Sequence, residues 1–258
     1  MRMKSAASIV LALVAVVVLP STYESSAGQA AGSKIWLGRH AEIETFIRNA
    51  KIVGEEEIKV GVTKPQRVFL EPGGPVAAVA WSKVHGRYLG YWDSYKADIA
   101  AYEVDKLLQL DMIPPVVEKR HRGDLGRASM WVDNVRMWDM KEPVTAPDPV
   151  AFLRQSTRMK MFDNFVGNTD RNAGNLLVDP AYNLILIDHT RAFTAGGKMT
   201  SKLSRIDREL WDRMLALTEA QLKEKVEKWI SGGQIRDILK RRDAMAREIA
   251  KLGVPPTP

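Results

Sequence analysis

Two short apolar runs, Leu176-Leu177-Val178 and Leu184-Ile185-Leu186-Ile187, are separated only by Asp179-Pro180-Ala181-Tyr182-Asn183. Apolar runs this short, bounded by turn-forming residues, read as strands, and their spacing makes an antiparallel hairpin the simplest pairing. A hairpin centred near Ala181 sets residue 175 opposite residue 187. Asn175 and Asp188 then emerge at one end, beside the loop that carries Asp170. The chain from Asp170 to Asp188 folds back on itself and closes one small acidic pocket.

Such a pocket suits a magnesium nucleotide. Magnesium prefers hard oxygen ligands and is usually held by one or two carboxylates together with phosphates and water. Asn175 and Asp188 supply oxygens of this kind. Asp170 is placed to accept or orient the proton of an attacking hydroxyl, a role worth about 10²–10⁴-fold in rate. Taken singly, Asp170, Asn172, Asn175 and Asp179 are ordinary turn formers that bond their own backbone. Their combination, with polar residues punctuating apolar strands, points to phosphoryl transfer, in which the protein chiefly positions charged groups.

Gly167-Asn168-Thr169-Asp170-Arg171-Asn172, Asn175 and then Leu186-Ile187-Asp188 resemble the catalytic and metal-binding loops of an atypical kinase group. That group comprises the secretory-pathway kinases related to Golgi casein kinase, the HipA-like kinases and the phosphoinositide kinases. The segment Ile187-Asp188-His189-Thr190-Arg191-Ala192-Phe193 departs from the secretory-kinase pattern at Thr190, where glycine is usual. Upstream, Ala97-Asp98-Ile99-Ala100-Ala101-Tyr102-Glu103-Val104-Asp105-Lys106-Leu107-Leu108, followed by Ile113-Pro114-Pro115-Val116, is similar to a helix of the same kinases. The resemblance implies ATP and Mg²⁺ or Mn²⁺ as cofactors. It gives Asp170 the catalytic role and makes Asn175 and Asp188 the metal ligands. It also implies that the acid of the upstream helix, here Asp98 instead of the usual glutamate, pairs with a strand lysine or helps to hold metal. Lys83, ending the apolar run Val76-Ala77-Ala78-Val79-Ala80-Trp81-Ser82, is the candidate for that nucleotide-contacting lysine; Lys64 is its rival.

The distribution of elements predicts an α+β, two-lobed, protein-kinase-like fold. Residues 40–50 read as a helix, 58–83 as strands with turns, 94–110 as a helix and 128–132 as a strand. Gly73-Gly74-Pro75 reads as a hairpin turn. It lacks the Gly-x-Gly-x-x-Gly spacing and helix start of a phosphate loop. The proline-bearing stretch Pro143–Pro149 reads as a linker, and Asp148-Pro149 as the start of a helix to 166. Further helices are expected at 206–216, 218–230 and 233–251. This layout divides the chain into residues 1–30, a β-rich lobe over 31–142 with one helix of regulatory type, and a helical lobe over 143–258. Of 258 residues 45% are apolar, enough for a substantial core. Met130-Trp131-Val132 stands just before the linker, where the resemblance implies the border of an adenine pocket.

Arg2 and Lys4 precede fourteen residues, Ala6–Leu19, with only Ser8 polar, and Gly28-Gln29-Ala30 offers small residues for cleavage. A fourteen-residue helix would span ~21 Å, short of the ~30 Å hydrocarbon core. The expectation is therefore a cleaved signal peptide and a periplasmic or extracellular protein, in preference to a permanent anchor. The absence of cysteine excludes disulfides and a lipid-modified cysteine. Net charge is +7. The basic helical residues Lys240-Arg241-Arg242 are interspersed with Asp237, Asp243 and Glu248, as on a solvated helical face, so nucleic acid is not an expected partner. The four histidines show no zinc spacing, and no nucleophile elbow is present. Three functions remain: a kinase acting on a hydroxyl of a protein, sugar or other acceptor; a nucleotide-binding pseudokinase without transfer; and a nucleotidylating enzyme on the same fold. Nucleotide and a hydroxyl-bearing substrate are the expected partners.

Overall fold

The computed structural model describes residues 32–58, 65–141 and 145–253. The N-terminal apolar run, Lys64 and the first part of the proline-bearing linker lie outside them. The N-terminal half builds a five-stranded antiparallel sheet in the order β1-β2-β3-β7-β6. Its strands are β1 (Ile52–Glu57), β2 (Gln66–Leu70), β3 (Ala78–Ser82), β6 (Val116–His121) and β7 (Asp124–Met130). Residues 71–77, with Gly73-Gly74-Pro75, connect β2 to β3 as expected of a hairpin turn. Helix α1 (His40–Asn49) packs Ile43 and Ile47 with Val68, Val79 and Trp81 into one apolar core.

Between β3 and α2 (Tyr95–Leu107) the chain inserts a hairpin that sequence reading does not anticipate, β4 (His85–Tyr88) and β5 (Tyr91–Ser94). Its charged and aromatic residues show no apolar/polar alternation from which a half-buried strand could be recognised. Helix α2 is buried along most of its length, with Ala100, Ala101 and Tyr102 inaccessible to solvent. Such burial on several faces leaves little amphipathic signature.

The expected C-terminal hairpin forms from β9 (Leu176–Val178) and β10 (Leu184–Leu186), with Leu184 opposite Val178 and Leu186 opposite Leu176. A short strand, β8 (Arg136–Met137), pairs on the outer edge of β9. Helix α3 (Pro149–Val166) begins where Asp148 accepts hydrogen bonds from the backbone N–H groups of Val150 and Ala151, and it ends at Gly167 in the left-handed conformation. Helices α4 (Arg208–Ala216), α5 (Glu219–Val226) and α6 (Gly232–Leu252) complete this half. Thr218 and Ser231 open the last two with reciprocal side-chain caps to Gln221 and Gln234. A second apolar core joins α2 to Phe162, Phe165, Leu210 and Ile238 of these helices. The molecule thus has a β-rich lobe and a helical lobe, each with its own core, in the α+β architecture expected. Among the described residues no helix is long and apolar enough to cross a membrane.

Candidate active site

A cleft of about 420 Å³ opens between the lobes, a size suited to a small ligand. Asp170, Asn175 and Asp188 all line it, with Met130, Trp131 and Val132 on the β-lobe side. The hairpin brings the three polar residues together. The backbone N–H of Ile187 donates to Asn175 O at 3.2 Å, so the strand ends that carry Asn175 and Asp188 are tied directly. Asn175 donates from Nδ2 to Asp170 O at 2.7 Å, which fixes the Asp170 loop against the same point. Asp188 takes a left-handed backbone, φ 55°, and one of its carboxylate oxygens accepts from Thr190 Oγ1 at 2.8 Å. Thr190, where the secretory-kinase pattern has glycine, thus gains a role in holding the carboxylate.

Behind the cleft runs a buried polar chain. Arg171 donates a fork to Asp163 of α3, Nε to Oδ2 at 3.0 Å and Nη2 to Oδ1 at 3.0 Å. It also donates to Asn175 O and, at 3.2 Å, to Ile187 O, clamping both hairpin ends. Its Nη2 lies 2.7 Å from His189 Nε2, which has to accept because a guanidinium only donates. The His189 proton then sits on Nδ1, facing Asp98 Oδ1 at 3.6 Å. Asp98 also accepts from the backbone N–H of His189 at 2.6 Å and forms an ion pair with Arg127 of β7. Burial alone would raise the Asp98 carboxyl, but Arg127 and His189 outweigh it and hold it below the usual carboxylate range. The segment that follows Asp188 is thereby tied to α2 and the sheet.

The Asp170 side of the cleft has its own fixed cation. Arg191 bonds buried Asp93 at 2.9 Å, lies 3.3 Å from Asp170 Oδ2 and stands over the Tyr91 ring at 4.4 Å. Asp93 and Tyr91 belong to the β4–β5 hairpin, whose Ser94 N–H also donates to Thr190 O at 2.9 Å. Sequence reading missed Asp93, Arg127 and Arg191 as cleft residues.

The structure does not bring every expected residue to the cleft. Lys83 lies just beyond the end of β3, exposed, with its ammonium 2.6 Å from Asp124 Oδ2, and it does not line the cleft. Asp98 lies behind Arg127 and pairs with that arginine, not with a lysine. Lys64 is outside the described residues. The hard oxygens of Asn175 and Asp188 fit Mg²⁺ or Mn²⁺.

No family model matches the chain, and no curated protein matches it by sequence. Solved structures do match. The Golgi casein kinase with Mn/ADP bound superposes with a TM-score of 0.61 at 10% identity, covering 83% of this chain and 76% of that one. Hydra Fam20 with sugar gives 0.59 at 13% identity, covering 83% and 88%. The Helicobacter pylori proinflammatory kinase CtkA gives 0.52 at 10% identity, covering 80% and 95%. With its β-rich lobe, helical lobe and intervening cleft, the chain has the atypical kinase fold seen in the Golgi casein kinase and its Fam20 relatives.

Proposed function

We propose that the protein is a metal-dependent kinase that transfers the γ-phosphate of ATP to a hydroxyl of a protein, sugar or other acceptor. The observation that carries this reading is the convergence of Asp170, Asn175 and Asp188 on one interlobe cleft. In this reading Asn175 and Asp188 hold Mg²⁺ or Mn²⁺, which supplies neutralisation of phosphate charge. Met130, Trp131 and Val132 border the base. Asp170 orients the acceptor hydroxyl and takes its proton as the new O–P bond forms and the bond to the ADP leaving oxygen breaks. Manganese and ADP in the Golgi casein kinase, and the sugar with hydra Fam20, support this cofactor set and acceptor range. The amino-terminal sequence supports export, and resemblance to secretory-pathway kinases agrees with it.

A pseudokinase is the second reading, favoured by Arg191 lying against Asp170 Oδ2. An acceptor would have to share or displace that contact. The test is titration of Mg-ATP together with transfer of labelled γ-phosphate. Asp188→Ala abolishes magnesium-dependent ATP binding, whereas Asp170→Ala keeps the affinity and loses at least about 100-fold in transfer. Unchanged affinity after removal of Asp188 overturns the site. Tight binding without transfer by the parent protein selects the pseudokinase.

A further inference from the structure

We propose that the cation anchoring the nucleotide phosphates is Arg127 of β7, occupying the space that Ala80 of the neighbouring strand β3 leaves open. The inference rests on the nucleotide-binding reading above and assigns a residue within it.

Strand parity provides the first argument. Alternate residues of a strand face opposite sides of the sheet. In β3, Val79 and Trp81 pack into the β-lobe core, while Ala80 lines the cleft. Position 80 is therefore where a β3 cation would meet phosphate, and alanine stands there. Lys83 follows the parity of Val79 and Trp81, away from the cleft, and bonds Asp124 just past the strand end.

Register provides the second. Ala80 pairs with Ser129 and Ser82 with Arg127 across the β3–β7 ladder. Ser129 and Arg127 share the cleft face, while Ala128 between them is buried in the core. Adjacent strands lie about 4.8 Å apart, a gap the long arginine side chain can span. Arg127 Nη1 donates to Ala80 O at 3.4 Å, so the guanidinium reaches across to the β3 backbone at the alanine position.

Charge pairing points to the same residue. Arg127 is buried and forms an ion pair with Asp98 of α2, the helix whose acid would partner a strand cation. Aspartate is one methylene shorter than glutamate, and arginine reaches further than lysine, so the two departures are mutually compensating. Asp98 in turn is fixed by the His189 N–H, one residue from Asp188. The cation is thereby held relative to the proposed metal ligand through two contacts. A guanidinium also offers a planar fork to phosphate oxygens, where an ammonium offers a point charge.

Removing Arg127 alone would strand a buried carboxylate, so the test removes the pair. Mg-ADP and adenosine are titrated calorimetrically into Asp98→Asn, Asp98→Asn/Arg127→Met, Ala80→Lys/Arg127→Met and Lys83→Ala, each with its melting curve. Relative to Asp98→Asn, the Asp98→Asn/Arg127→Met protein should lose about 10–100-fold in Mg-ADP affinity and keep its adenosine affinity. A purely structural role would lower both. Lysine at position 80 should restore ADP affinity to within a few-fold of the parent, and Lys83→Ala should bind as the parent does. Equal ADP affinity in Asp98→Asn and Asp98→Asn/Arg127→Met, or a loss in Lys83→Ala, overturns the assignment. Asp188→Ala distinguishes the two levels: if it alone loses ADP, the cleft stands and the relocated cation falls.

Discussion

At the residue scale, the loop that carries Asp170 depends on a glycine outside the proposed chemistry. Gly167 ends α3 at φ 65°, and a β-carbon there would stand 2.8 Å from the Arg241 guanidinium. Arg241 is buried in α6, donates from Nε to Phe165 O at 3.0 Å and also bonds Gly196 O. Burial lowers its basicity to about 10. The left-handed turn and the arginine beneath it together set the course of the loop that brings Asp170 to the cleft. Gly167→Ala should therefore destabilise the protein by at least about 1–2 kcal/mol, the cost of a left-handed non-glycine residue, before any displacement of Arg241. Urea midpoints read this directly, and an unchanged midpoint would show that the turn relaxes freely. Arg127 is decided at this scale too. The strand expected at 128–132 starts one residue too late to include it, although Arg127 and Ser129 alternating with Ala128 and Met130 continue the same period-two pattern upstream.

At the scale of elements, α2 belongs to the helical lobe's core and lies against β6 and β7 of the sheet, and its C-terminal end carries a titratable brace. Asp105 accepts the backbone N–H groups of Met112 at 3.1 Å and Ile113 at 3.3 Å, holding the turn into β6. Burial, with Asp111 nearby, pushes its carboxyl up to about 7 against the opposing pull of Met112, Lys34 and His40. The unfolded chain releases this proton near pH 4, whereas the folded chain retains it to about 7. Between those values the native state binds more protons, so this group's contribution to stability is full at low pH and falls as pH rises. Asparagine would still accept the two amides and would not ionise. The stability of Asp105→Asn relative to the parent should rise by about 1 kcal/mol for each unit between pH 5 and 7. Parallel urea-midpoint profiles for the two proteins would refute it. The helices were largely legible from sequence, since prolines, caps and periodic apolar residues are local signals. The β4–β5 hairpin was not legible, because it is held by Asp93–Arg191 and Ser94–Thr190, contacts made across roughly a hundred residues.

At the scale of the molecule, the lobes meet around a cleft whose walls carry both signs of charge. Asp93, Asp170 and Asp188 face Arg127 and Arg191 there. A ligand that binds only the folded state stabilises it by about 2.7 kcal/mol at a concentration one hundred times its dissociation constant. For a domain of this size that corresponds to a rise in Tm of about 5–10 °C. Saturating Mg-ADP should produce this shift in the parent protein and none in Asp188→Ala. No shift in either at saturating concentration would contradict binding of nucleotide in this cleft.

The sequence by itself determined most of the helices and the hairpin that carries one half of the proposed site. Turn residues between two short apolar runs specify a hairpin, and a hairpin obliges Asn175 and Asp188 to emerge together beside Asp170. Those constraints are local and are written in residues close along the chain. Which cation faces them is decided only by the tertiary structure. Lys83 and Arg127 are both strand-associated and basic, but sheet register gives Arg127 the cleft and leaves Lys83 beside Asp124. Register between β3 and β7 depends on how two strands distant in sequence bury their apolar faces in a common core, and that is a property of the assembled sheet.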